Sequence, residues 1–228
     1  MTQSKILIVA TSAAEMTNGE PTGVWLEELT TPYYAFRDGG ADVTVASIAG
    51  GRIPVDARSI SKPGDNDASV ERYLEDAEAQ QTFNNTVAFT ELDTDGFDAV
   101  FLPGGHGTMF DYPDSEALAA LIETFDRAEK IVSAVCHGPA ALVSAKASDG
   151  APFVKGRKVA AFTDSEEVAV GLDDAVPFLL ETRLRELGAL HEAAPDFEPF
   201  ALQDGNLITG QNPASATKTA TLVLDALA

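Results

Sequence analysis

The single cysteine of the chain, Cys136, lies where an apolar run meets a turn. The run Ile131–Val135 predicts a buried strand, and an Ala-rich helix is expected over Pro139–Ala145. A strand that enters a helix through a sharp turn is typical of a nucleophile elbow, which needs small neighbours such as Gly138. A lone cysteine is otherwise most often a small buried apolar residue. The sharp turn favours a nucleophilic role for Cys136 over this structural one.

The same context predicts a reactive thiol. The positive end of a helix dipole and the neighbouring His137 both favour a thiolate at Cys136 over the neutral thiol. We therefore expect the pKa of this thiol to lie well below its usual value of about 8.5.

A glycine-rich turn, Pro103–Gly107, follows a second apolar run. Glycines let the backbone approach a ligand and turn its amides inward. No Lys-Ser or Lys-Thr pair follows, so the turn is not a phosphate loop. It is either a plain strand-ending turn or an oxyanion site, in which the amides of Gly105 and His137 hold a developing negative charge. On the second interpretation, Gly104, Gly105 and His106 contact the substrate.

Three glutamates could assist a thiol, but the residue pattern alone leaves each with an ordinary explanation. Glu28 lies on a predicted helix, where a glutamate is usually solvated. Glu166 and Glu167 begin another helix and could simply complement its dipole. His191 lies in an acidic stretch and is predicted to face solvent.

Apolar runs alternate with helical patterns along the chain. Continuous short runs predict strands buried on both faces, and apolar residues with a helical period predict the helices between them. The predicted strands are Lys5–Ala10, Asp42–Ile48, Asp98–Leu102, Ile131–Val135, Val159–Phe162 and Leu207–Thr209. The predicted helices are one capped by Thr22 that ends at Gly39, and Ala68–Gln81, Ser115–Glu129, Pro177–Leu187 and Ala214–Leu227.

This alternation predicts an α/β fold, because right-handed crossovers put helices on both faces of a mostly parallel sheet. Such a doubly wound sheet binds ligands beyond the carboxyl ends of its strands, where Cys136 falls. No linker divides the chain, so residues 1–228 are predicted to form one domain. The segment 51–90 fits the alternation poorly and is either a plain surface insertion or a lid or oligomer contact.

Composition excludes several classes of function. Acidic residues outnumber basic ones 36 to 15, and the resulting net charge of −21 repels nucleic acid and anionic lipid. A single cysteine permits neither an internal disulfide nor a metal site with several thiolates. The absence of disulfides is typical of proteins from a reducing compartment. No apolar run is long enough for a membrane span or a secretory signal. We therefore expect a cytoplasmic protein.

Five blocks of the sequence resemble the ThiJ/PfpI superfamily. The block Ala134–Pro139 resembles its nucleophile signature. The other four resemble blocks of its glyoxalase III-type heat-shock subfamily in the same order, and they are Thr22–Glu28, Leu102–Gly107, Phe162–Glu167 and Thr209–Ala216. The resemblance covers nearly the whole chain. It implies a flavodoxin-like fold of the class I glutamine amidotransferase type.

The resemblance also implies roles for residues. Cys136 would be the nucleophile, His137 its histidine partner and Glu28 the acidic residue beside the sulfur. The acid that orients the histidine falls on Glu167, with Glu166 as the alternative. The late His-x-Glu pair of true glutamine amidotransferases is lacking, so glutamine hydrolysis is not expected.

The activity implied by the resemblance is that of glyoxalase III. Methylglyoxal and related 2-oxoaldehydes would become 2-hydroxy acids such as lactate through a cysteine hemithioacetal, without glutathione, metal or another cofactor. Either His137 or Glu28 would move the proton between the two carbons. The alternatives are a holdase chaperone for unfolded clients and a cysteine-dependent protein deglycase or peptidase. The resemblance also implies a homodimer.

Overall fold

A seven-stranded sheet is the centre of the fold in the computed structural model, which describes residues 3–228. The strands are β1 (Lys5–Ala10), β2 (Asp42–Ser47), β3 (Val87–Ala88), β4 (Ala99–Leu102), β5 (Ile131–Val135), β6 (Lys158–Val159), β7 (Leu190–His191), β8 (Ala201–Asp204) and β9 (Leu207–Gly210). The sheet has the order β3-β2-β1-β4-β5-β9-β8, and β6 pairs separately with β7. All neighbours in the large sheet are parallel except β8 and β9 at one edge.

Helices connect most of these strands. The α-helices of the described residues are α1 (Leu26–Asp38), α2 (Ala68–Glu75), α3 (Ala77–Asn84), α4 (Thr108–Asp111), α5 (Glu116–Arg127), α6 (Asp164–Val170), α7 (Leu180–Glu186) and α8 (Ala216–Leu227). Short 3₁₀ helices cover Ala57–Ser59, Phe89–Glu91, Gly138–Val143 and Pro213–Ser215.

Alternate residues of β1 pack on opposite faces of the sheet, as the two-residue period of a strand requires. Leu7 and Val9 belong to one apolar core, and Ile6 and Ile8 belong to the other. Residues of α5 and α7 cover the first core, and residues of α1 and α8 cover the second. Helices therefore lie on both faces, and the predicted doubly wound α/β fold is confirmed.

The predicted helix Ala68–Gln81 is wrong in one respect, because it is two helices. Asp76 has a non-helical backbone and separates α2 from α3. Its carboxylate accepts hydrogen bonds from the amides of Glu78 and Ala79, so it acts as the N-cap of α3. The capping ability of Asp overrides the continuous helical pattern.

The predicted strand Val159–Phe162 is also too long, because only its first residue belongs to a strand. Side chains take the backbone hydrogen bonds that a strand partner would make. The Ala160 amide donates to the Thr209 hydroxyl at 2.8 Å, and the Ala161 amide donates to the imidazole of His191 at 3.2 Å.

Thr22 does not cap α1, which begins at Leu26 without a side-chain cap. The Thr22 hydroxyl donates instead to Asp56 at 3.2 Å. A β-bridge between Val24 and Val55 lies beside this contact. The loop before α1 is therefore tied to the beginning of the segment 51–90.

None of the helices in residues 3–228 combines the length and apolar character of a membrane span. The longest of them, α1, has 13 residues and passes through Pro32, whereas about 20 residues are needed to cross a bilayer.

The turn after β5 depends on a close approach to the end of β4. A methyl group added at Gly138 would overlap the carbonyl oxygen of Leu102, which is part of the backbone and cannot rotate away. We predict that Gly138→Ala lowers the free energy of unfolding by roughly 1–3 kcal/mol, the usual cost of overpacking. Urea unfolding followed by circular dichroism measures this change.

Gly96→Ala is the matched control, because an added methyl there meets no atom and its backbone is not left-handed. Its unfolding midpoint should equal or slightly exceed that of the unchanged protein. Equal losses in both variants would contradict the contact with Leu102 as the cause.

Candidate active site

Cys136 occupies a strained turn directly after β5. Its φ of 60° lies in the left-handed region, which non-glycine residues rarely adopt. Its amide donates to the carbonyl of Gly210 at 2.9 Å, which fixes the turn to the end of β9. The helix after the turn is a 3₁₀ helix, Gly138–Val143, rather than the predicted Pro139–Ala145. The geometry is that of a nucleophile elbow.

Glu28 reaches the sulfur from α1. The side chain is fully buried, and its Oε2 accepts a hydrogen bond of 2.9 Å from the Gly104 amide. Its carboxyl group interacts with the Cys136 thiol, while Oε1 has no hydrogen-bond partner among the described residues. A side chain at Gly104 would overlap the Glu28 carboxyl and the carbonyl oxygen of Val135. This position therefore requires glycine.

Cys136, His137 and Glu167 form a hydrogen-bonded series. The Cys136 sulfur lies 3.3 Å from His137 Nδ1, and His137 Nε2 lies 2.7 Å from Glu167 Oε2. A carboxylate can only accept, so Nε2 carries the imidazole proton and Nδ1 is free to accept the thiol proton. The three side chains are nearly completely buried.

A second imidazole bonds the same carboxylate. His106 Nε2 lies 2.7 Å from Glu167 Oε1, and the His106 and His137 rings are 4.2 Å apart. Burial, and then repulsion from His137, lower the pKa of His106 to about 4. Burial alone would raise the pKa of Glu167, but attraction to the protonated form of His137 and hydrogen bonds from both imidazoles hold it well below its usual range. Glu167 is therefore ionised while His106 is neutral near neutral pH.

Two backbone amides are available for an oxyanion. Within residues 3–228, neither the Gly105 amide nor the His137 amide donates to a protein oxygen. The Gly105 amide favours the thiolate form of Cys136, and Gly105 has a φ of 98°, which requires glycine. The predicted pair of amides thus lies beside Cys136.

Residues 21–226 match the DJ-1/PfpI family. The chain belongs to this family. Glyoxalase 3 of Candida albicans is 33% identical, with 97% of this chain and 98% of that relative covered. The glutathione-independent glyoxalase HSP31 of Saccharomyces cerevisiae is 31% identical, with coverage of 100% and 99%. The family predicted from the sequence is confirmed.

Solved structures are also similar to this DJ-1/PfpI chain. The crystal structure of glyoxalase III from Candida albicans has a TM-score of 0.88 and 31% identity, and covers 98% of this chain and 97% of its own. The Rapid Encystment Protein 24 kDa of Francisella tularensis has a TM-score of 0.94 and 34% identity, with coverage of 99% and 100%.

The prediction of a low thiol pKa is wrong. Burial of Cys136 and the charge of Glu28 raise the pKa of the thiol well above its usual value, although the Gly105 amide acts in the opposite direction. Burial likewise raises the pKa of Glu28 well above its usual value. Burial therefore opposes a negative charge on either group, and His137 Nδ1, 3.3 Å from the sulfur, is available to accept the thiol proton.

Glu166, the alternative to Glu167, bonds a different part of this DJ-1/PfpI protein. Its Oε2 accepts from the Thr163 amide and hydroxyl, in a capping box that begins α6. Its Oε1 accepts from the Phe197 amide and from two side-chain amides, those of Gln211 and Asn212. The sequence carried a signal for this difference, because Thr-x-x-Glu before a helix is the capping-box pattern.

His191 does not face solvent, which corrects its prediction. Only 6% of its surface is exposed. Its Nδ1 lies 3.5 Å from Glu181, and its Nε2 accepts from the Ala161 amide. The acidic stretch around it suggested exposure, but the imidazole is buried against the segment that follows β6, where it meets the Ala161 amide.

An apolar cavity of about 500 Å³ opens over the sulfur. The residues that line it around Cys136 and His137 are Trp25, Arg58, Gly105, His106, Phe162, Val170, Leu172, Phe197 and Pro213. Sequence reasoning missed Arg58 and Phe197, because they belong to segments without a regular pattern. Arg58 comes from the segment 51–90 and pairs with Asp56 at 2.6 Å.

His106, His137 and Glu167 are the described side chains that could hold a metal ion. Their ligand atoms lie within 4.8 Å of one another, which suits a site of two imidazoles and a carboxylate. Both Nε2 atoms already donate to Glu167, so hydrogen bonding accounts for the cluster.

We predict that the thiol of this DJ-1/PfpI protein is alkylated with a pH midpoint above that of an ordinary cysteine. Glu28→Gln should move this midpoint to lower pH, because the alkaline pH that ionises the thiol would also ionise Glu28, whereas a glutamine never places a negative charge beside the thiolate. The rate of iodoacetamide alkylation against pH measures both values.

Glu186→Gln, on the exposed face of α7, is the control and should keep the original midpoint. An ordinary midpoint in the unchanged protein, or no shift in Glu28→Gln, would contradict the mutual effect of the two buried groups.

Proposed function

We propose that this protein is a glutathione-independent glyoxalase that converts 2-oxoaldehydes such as methylglyoxal into 2-hydroxy acids. The observation that carries the proposal is the Cys136 sulfur between the His137 imidazole and the Glu28 carboxyl. The relatives named glyoxalase 3 and glutathione-independent glyoxalase, similar over their full length, support it. A thiol with one base and one acid nearby suits addition to a carbonyl followed by proton transfer.

The first step joins sulfur to the aldehyde carbon. His137 Nδ1 takes the thiol proton, and the ionised Glu167 stabilises the imidazolium through Nε2. The thiolate forms a carbon–sulfur bond, and the aldehyde oxygen takes the electron pair of its double bond. The free amides of Gly105 and His137 stabilise this oxyanion. Protonation by Glu28 gives a hemithioacetal.

The second step moves hydrogen between the two carbons. Glu28, now a carboxylate, removes the proton from the former aldehyde carbon and returns it to the former ketone carbon. The hydroxyl proton passes from the first oxygen to the second through an enediol, and a thioester of the 2-hydroxy acid results. We assign the carbon proton to Glu28 rather than His137, because His137 already holds the thiol proton.

Water then hydrolyses the thioester and restores the thiol. The aldehyde carbon is oxidised to a carboxylate while the ketone carbon is reduced to an alcohol. The electrons therefore stay within the substrate, and the reaction needs no redox cofactor and no glutathione.

We predict that the purified protein forms lactate from methylglyoxal without glutathione. Cys136→Ser should lose this activity, because a hydroxyl is a far weaker nucleophile at neutral pH. Lactate is measured by an enzyme-coupled assay after treatment of the protein with a chelator. Full activity in Cys136→Ser would overturn the proposal, and activity lost on chelation and regained with a metal would overturn its cofactor-free form.

We predict that Glu167→Gln lowers kcat by roughly a hundredfold or more, because the imidazolium loses its charge partner. The thiol should remain alkylatable, since Cys136 and Glu28 are unchanged. The control is Glu186→Gln, whose exposed side chain pairs with Arg183 rather than with a residue of the site. Glu166→Gln is a poor control, because it would disturb five hydrogen bonds around a buried carboxylate.

The alternative functions differ in how they depend on the thiol. A holdase activity would persist in Cys136→Ser, because it needs exposed apolar surface rather than a nucleophile. Val170 and Phe197, two of the exposed large apolar residues, line the cavity. A deglycase would act on protein-bound adducts in the absence of free 2-oxoaldehyde, which mass spectrometry of a modified peptide detects.

The implied homodimer and the cytoplasmic location stay predictions. Light scattering after size-exclusion chromatography measures the first, and cell fractionation measures the second. A lid or oligomer role of the segment 51–90 also stays a proposal, which its residue Arg58 supports because it lines the cavity.

A further inference from the structure

The cavity over Cys136 is much larger than methylglyoxal. Its volume of about 500 Å³ would hold roughly sixteen water molecules at about 30 Å³ each. Methylglyoxal has only three carbons and two oxygens, so most of the cavity would stay unfilled around it. Cavities of this size usually bury a larger organic ligand.

The walls of the unfilled part are apolar and aromatic. Phe162 packs on the catalytic His137 with ring centres 4.5 Å apart, and Phe197 lies edge-on to Phe162 at 6.4 Å. Trp25 and Leu172 line the same cavity. These rings lead from the reacting groups to the mouth and form one surface for an apolar substituent.

A backbone hydrogen bond, rather than burial, holds Phe197 at the mouth of the cavity. Its surface is 49% exposed, and its φ of 63° is in the left-handed region. Its amide donates to the fully buried Glu166 at 2.7 Å, which compensates for the strain. Gln211 and Asn212 hold the same carboxylate. An exposed aromatic ring in a strained and anchored position is suited to contact a ligand.

The charges of the residues that line the cavity favour a substrate with a neutral substituent. Arg58 is the cation among the lining residues, and its Nε and Nη2 both donate to Asp56. Asp56 is itself almost completely buried, so it neutralises the guanidinium. An anionic substituent would therefore gain little from Arg58.

We propose that the preferred substrates of this site are 2-oxoaldehydes with a bulky apolar group on the ketone carbon, of which phenylglyoxal is the aromatic example. The proposal rests on the glyoxalase function above. The chemistry is unchanged, since water adds to phenylglyoxal, its aldehyde carbon is oxidised, its ketone carbon is reduced, and mandelate is formed. The apolar group occupies the surface formed by Phe162, Phe197 and Trp25.

The test compares initial rates for phenylglyoxal and methylglyoxal. We expect kcat/KM for phenylglyoxal to be at least about tenfold higher, as apolar pockets discriminate by tens to hundreds. Turnover of methylglyoxal with an equal or higher kcat/KM would overturn this inference and leave the glyoxalase function standing. Turnover of neither compound would overturn the glyoxalase function itself.

Phe197→Ala tests the surface directly. It should lower the ratio of the two kcat/KM values about tenfold, because only the larger substrate reaches the mouth. Leu190→Ala is the control, since this exposed side chain does not line the cavity, and it should keep the ratio. An unchanged ratio in Phe197→Ala would overturn the assignment of the surface.

Product inhibition gives a second measurement that does not depend on turnover of phenylglyoxal. Mandelate should inhibit methylglyoxal turnover at a concentration about tenfold or more below that of lactate, and Phe197→Ala should reduce this difference. Equal inhibition by both acids would contradict an apolar subsite.

Discussion

The site depends on one buried negative charge, that of the Glu167 carboxylate. Two imidazoles donate to its two oxygens, so this single charge sets the tautomer of both His106 and His137. The Nδ1 atom of His137 is thereby left unprotonated and faces the sulfur. A buried carboxylate without such donors would take up a proton, and the histidine would lose the orientation that makes it a base.

The second constraint is that burial opposes a negative charge on the other two acidic groups of the site, the Cys136 thiol and the Glu28 carboxyl. Burial raises the pKa of both the Cys136 thiol and the Glu28 carboxyl and so opposes a negative charge on them, in contrast to cysteines that are permanently thiolate. In the proposed mechanism the thiolate therefore forms only as His137 accepts the proton. In the proposed mechanism a proton on Glu28 is used at the next stage, when the adduct carries a negative oxygen. Reactivity is thus coupled to substrate addition.

The sequence predicted the parts of this arrangement that depend on chain order. Apolar runs and turns were sufficient for the parallel sheet and for the elbow at Cys136, because both are local patterns read along a strand. The contact between His106 and Glu167 joins residues far apart in sequence, and no local pattern encodes it. The prediction of a low thiol pKa was wrong for a related reason. That pKa depends on burial by α1 and on Glu28, which is far from Cys136 in sequence. The break at Asp76 shows that one capping residue can override a helical period.

The neighbouring residues Glu166 and Glu167 connect the proposed catalytic groups with the proposed apolar surface. Successive side chains on a helix point about 100° apart, so one helical turn sends these two carboxylates in different directions. Glu167 reaches the imidazoles, and Glu166 reaches the amide of Phe197 at the mouth. The capping box of Thr163 fixes where α6 begins, and therefore fixes both directions at once. A shift of this helix would disturb the base and the apolar surface together, so the first turn of α6 is the part of the fold that both functions share.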